Sequence, residues 1–106
     1  MGTAVELSYQ DKMHLIGICT GYADIASDIQ YLRTHNGAAD YESFTVEVIT
    51  AAQYEQAPRS LTKQVMEIGK VIYEGMDEKT TPAQAYVTFY NHCILQSKER
   101  LAGSDM

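Results

Sequence analysis

No run of residues in this chain approaches the roughly 18 consecutive apolar positions that a membrane-spanning helix needs. Cations are scarce: eight Lys and Arg stand against fourteen Asp and Glu, for a net charge of -6 in 106 residues. That balance argues against nucleic-acid backbones and anionic membrane surfaces, both of which call for clustered Lys and Arg. It suits a basic partner, or solubility alone. There is no glycine-rich phosphate loop, no His-x-x-x-His or Glu-x-x-His pair, and no Cys-x-x-Cys. His92 adjoins Cys93, but neighbours on a helix point in different directions and do not share one metal. Neither a metal nor a cofactor is expected.

Nucleophilic chemistry is poorly served as well. Cys93 could meet His14 across a bundle, but an orienting third group and an oxyanion loop are missing. The carboxylates Asp24, Asp28, Glu42 and Glu47 read as a solvated face. The acidic stretch Glu74 to Glu78 lacks the alternating ligands of a calcium loop. No catalytic residue is assigned, and the chain is not expected to be an enzyme.

What is present is a globular composition, with 45% hydrophobic residues. One hundred and six residues make one domain, 1–106, with ends at 1–7 and 103–106 expected to be flexible. Eight tyrosines against two phenylalanines and no tryptophan is an uncommon aromatic balance. Tyrosine suits both half-buried helix positions and binding surfaces. As written, the start Met1-Gly2-Thr3-Ala4 has neither the charged nor the apolar segment of a secretion leader. Met-Gly suits an expression start, and the residues after Ala4 would suit a mature chain whose leader was replaced. The expected location is therefore periplasmic or secreted if the chain is a trimmed one, and cytoplasmic otherwise.

Four helices are expected. Ser8 can cap the first, whose residues Leu15, Ile18, Tyr22, Ile25, Ile29 and Leu32 recur at spacings of three and four and form one apolar stripe. His35-Asn36-Gly37 ends it. Gly17 and Gly21 lie off that stripe and predict a close packing contact. Asp40 can cap a second helix through about Gln56, with Phe44, Val48, Ala51 and Ala52 inward. Residues 44–50 also alternate like a strand, but no partner strand exists. Pro58 breaks the chain, and Ser60 opens a third helix with the stripe Leu61, Val65, Ile68 and Ile72, closing near Gly75. Thr81-Pro82-Ala83-Gln84 is a capping box with proline at the first helical position. The fourth helix runs on through Tyr86, Val87, Tyr90, Cys93 and Ile94 to about Leu101. Short connections make this an all-α, compact, four-helix bundle-like array.

Cys19 and Cys93 fall mid-helix in the first and last elements. They are either one bridge joining those helices or two buried reduced thiols acting as small hydrophobes. Two segments stand out as partner-binding surface: Tyr54, Glu55 and Arg59 around Pro58, and the acidic Glu74, Asp77 and Glu78.

The segment Cys19-Thr20-Gly21-Tyr22-Ala23-Asp24, with Cys93 in the last helix, resembles the Cys-x-Gly-Tyr stretch of periplasmic immunity proteins paired with secreted toxins. Such small exported two-cysteine helical proteins occur in bacteria and their phages, and the likeness covers about a tenth of the chain. It implies a stoichiometric inhibitor of a toxin or wall-acting enzyme, with no catalysis of its own. A cytoplasmic acidic regulator or phage-encoded inhibitor mimicking nucleic-acid charge also fits the composition. So does a helical oligomer, in the simplest case a homodimer, seamed by the first helix.

Overall fold

The computed structural model describes residues 9–35 and 38–104, with side chains to residue 97. It contains four helices: α1 Tyr9–His35, α2 Tyr41–Glu55, α3 Arg59–Gly75 and α4 Pro82–Ser104. No strand occurs among the described residues, so 44–50 are helical. The Ser8 cap, Asn36-Gly37 and the expected flexible ends lie outside the described residues, apart from the last turn of α4.

Local chemistry sets the helix boundaries. Asp40 is extended and its Oδ1 accepts the Ser43 N–H at 2.8 Å, capping α2. The Thr81 hydroxyl accepts the Gln84 N–H at 3.1 Å, and the Gln84 amide oxygen accepts the Thr81 N–H at 3.0 Å. This is the reciprocal capping box. At the end of α2, Gln56 adopts a left-handed φ of 55°, and the Ala57 N–H reaches back to the Ala52 carbonyl at 2.9 Å. α3 begins at Arg59 rather than Ser60, because Pro58 holds the extended dihedrals of the cap position, without a side-chain cap.

α1 and α4 form the most extensive pair and run antiparallel. Cys19 is bridged to Cys93 with the Cα atoms 5.5 Å apart, while eleven residues along α1 the Gln30 amide meets the Thr80 carbonyl at the start of α4. α3 packs against α1, and α2 packs on α3. The array is drawn out, with extents of 54 × 32 × 21 Å and a radius of gyration of 16.0 Å, against about 13 Å for a spherical domain of this length. α1 is the reason. Twenty-seven helical residues span about 40 Å, and its residues 9–18 are almost wholly exposed.

The core joins Ala23, Ala26 and Ile29 of α1, Ala38, Phe44 of α2, Ile68 and Ile72 of α3, and Phe89 of α4. Several faces differ from the expected stripes. On α1 the fully buried positions are Cys19, Ala23, Ala26 and Gln30, while Ile18 is exposed. The buried face is turned by about one residue, because small side chains let α4 approach closely. Gly17 and Gly21 face open space and make no packing contact. The tight glycine is Gly69 in α3. A Cβ there would overlap the Phe44 ring, lying 2.7 Å from Cζ. Leu61, Ala51 and Val87 are exposed, and Ala85 and Phe89 take the inward positions of α4.

Polar clasps fix the loops to this core. The Gln30 side-chain amide donates to the Thr80 carbonyl at 2.7 Å, holding the turn before α4. Tyr73 donates its hydroxyl hydrogen bond to the Ala38 carbonyl and so straps the α1–α2 connection to α3. Arg33 lies over the Tyr73 ring at 5.1 Å and donates to the Ile72 and Met76 carbonyls at 3.2 and 2.9 Å. It thereby occupies part of the negative end of the α3 dipole.

Candidate partner-binding surface

The two suggested surface segments fall at opposite ends of α3. Tyr54, Glu55 and Arg59 surround the α2–α3 turn, and Glu74, Asp77 and Glu78 surround the α3–α4 turn. Seventeen helical residues separate them by about 25 Å. They are two surfaces, not one patch. All six residues are exposed, Tyr54 to 90%.

Each end carries an open groove. Beside the first, α2 and α3 diverge around a hollow of about 590 Å³. Ile49, Ala52, Ala57 and Met66 supply apolar walls, with Arg59 and Lys63 at its margin. Beside the second, α1, α3 and α4 enclose about 510 Å³. Tyr22 and Phe89 meet there with ring centroids 5.6 Å apart. Val71, Gly75 and Met76 form the α3 wall, Thr88 and His92 the α4 wall, and Asp77 and Thr80 come from the intervening turn. The two hollows differ in charge. The first has basic residues in its lining; the second has Asp77 and no Lys or Arg.

Electrostatics reinforce the difference. Burial pushes the Tyr22 hydroxyl above its ordinary pKa, and the carboxylate of Glu67 adds to the effect. Glu67 therefore acts on the floor of the second groove. Asp77 uses one oxygen to accept the Lys79 N–H at 2.7 Å. Among the described residues, neither carboxylate has a cationic side-chain partner.

Both sulfurs are in the bridge, which leaves no free thiol. Among the described residues, no three His, Cys, Asp or Glu side chains gather to hold a metal ion. No described helix is long and apolar enough to cross a membrane.

No family model, curated protein or solved structure matches the chain. Its functional reading rests on its own residues. Sequence reasoning named the acidic turn but missed the aromatic floor beside it. Val71 and Gly75 at an i, i+4 spacing, with Thr88, Phe89 and His92 one turn apart on α4, were the available signal. Their meeting with Tyr22 depends on how three helices pack.

Proposed function

We propose that this protein is a small non-catalytic binding protein of an oxidising compartment, an inhibitor of the immunity type, whose acidic end occludes a basic partner such as a toxin or wall-acting enzyme. The observation that carries this reading is the Cys19–Cys93 bridge joining the first and last helices. Bridges of this kind persist in the periplasm and outside cells, where thiols are not kept reduced. The net charge of -6 and the exposed carboxylates around the α3–α4 turn support a basic partner.

The test begins with native cells whose thiols are blocked at lysis. Intact mass, with and without later reduction, is measured on envelope and cytoplasmic fractions. A bridged protein in the envelope, recovered in a stoichiometric complex that suppresses its partner's activity, is the expected result. Free thiols in a cytoplasmic protein would overturn the assignment.

A further inference from the structure

The groove between α1, α3 and α4 has an aromatic floor, an apolar wall and an acidic margin, with His92 on its α4 side. Tyr22 and Phe89 make the floor, tilted by 47°. On the α3 side Val71 is 57% exposed, and nothing lies within 4 Å of where a Gly75 side chain would begin. Asp77 lines the groove, and Glu67 is near enough to act on Tyr22.

Each of these features favours the same chemistry. Aromatic faces attract a cation through the ring quadrupole. The exposed carboxylate of Asp77 at the margin adds a solvent-screened attraction. A guanidinium is planar and weakly hydrated, and it stacks on rings more readily than an ammonium does. The protein already uses this combination internally, since Arg33 lies over Tyr73 while donating to carbonyls in the last turn of α3. The groove presents a comparable aromatic and anionic setting at the surface.

We propose that the groove lined by Tyr22, Phe89, Val71 and Asp77 receives an arginine side chain from a basic protein partner. This deepens the binding function proposed above and rests on it. The apolar stem of the arginine lies along Val71 and the open flank of Gly75. Its guanidinium lies against the half-buried Tyr22 ring, beside the buried Phe89, and faces Asp77, with Glu67 adding longer-range attraction. The other groove, with Arg59 and Lys63 in its lining, repels the same group.

The experiment uses the full-length oxidised protein, labelled for NMR and titrated with three small probes: benzamidine, benzamide and benzoate. Benzamidine carries the planar cation, benzamide is its neutral counterpart, and benzoate has the opposite charge. Benzamidine is expected to shift the signals of Tyr22, Val71, Gly75, Asp77 and Phe89, saturating at about millimolar concentration. Benzamide should bind about tenfold more weakly, and benzoate should leave these signals unmoved. Glu67→Gln, on an exposed helix position, should weaken benzamidine several-fold without altering the rest of the spectrum. Asp77→Asn should do so more strongly.

Equal binding of benzamidine and benzamide, shifts centred on Arg59 and Lys63, or no saturation by tens of millimolar would each overturn the proposal. Such a failure, in a protein shown to be bridged and envelope-located, would remove the groove and leave the binding function standing. A groove that selects benzamidine in a protein with free cytoplasmic thiols would do the reverse.

Discussion

Reducing the Cys19–Cys93 bridge should destabilise this protein about as much as truncating a large core side chain such as Phe44. The bridge spans 74 positions of the chain. Releasing a closed loop of that size returns about 15 cal/mol/K of entropy to the unfolded chain, or about 4.4 kcal/mol at 25 °C. A domain of 106 residues unfolds with an entropy of about 220 cal/mol/K near its midpoint. The ratio gives a fall in Tm of about 20 °C. The loss should also have a local signature. Between Tyr9 and Ile18 only Leu15 is even half-buried, so burial fixes this part of α1 weakly, and the bridge at Cys19 is the covalent tie to α4 beside it. Two assays check the account: thermal unfolding followed by circular dichroism, with and without a phosphine reductant, and amide hydrogen exchange below the midpoint. Reduction should speed exchange in 10–18 well before it does so around Ile68 and Ile72, which lie in the core. A Tm change below about 5 °C, equivalent to roughly 1 kcal/mol, would refute the loop-entropy argument. Uniform acceleration of exchange would refute the tether.

Two further expectations concern packing and pH. Gly69→Ala should destabilise by about 1–3 kcal/mol, since its Cβ would overlap the buried Phe44 ring. Gly21→Ala, facing open space on α1, should stabilise by up to about 1 kcal/mol through helix propensity; urea unfolding that gave both the same sign would count against this packing. The Asp40 carboxyl is held below its ordinary pKa of 3.8 by the Ser43 N–H it accepts. Because the folded value is the lower one, its stabilisation is complete above the unfolded pKa and is lost as pH falls through the folded value. The advantage of the native protein over Asp40→Asn should therefore shrink below about pH 4, and a difference in Tm that stayed constant down to pH 2 would contradict it.

The sequence by itself determined what depends on neighbours along the chain. Asp40, Pro58, and Thr81 with Gln84 set helix starts through contacts spanning three or four residues. Such interactions are short enough to read as spacing, and the all-α class followed from them and from the apolar periods. The pairing of Cys19 with Cys93 remained one of two readings, because nothing local distinguishes a bridged cysteine from a buried thiol. Only the antiparallel packing of α1 and α4 brings their Cα atoms to 5.5 Å.

Tertiary structure also decided which face of α1 is inside. Hydrophobicity favoured Ile18 and its stripe, but close approach of α4 selects small residues, so Cys19, Ala23 and Ala26 are buried and Ile18 is left outside. The same holds for the glycines. Gly17, Gly21 and Gly69 look alike in sequence, and only the position of the Phe44 ring makes Gly69 the one without room for a Cβ. The candidate site follows this pattern. Its acidic turn was legible as a run of charges, whereas the aromatic floor joins Tyr22 to Phe89 across 67 positions of sequence. Distance along the chain carries no record of that contact; the crossing of α1, α3 and α4 creates it.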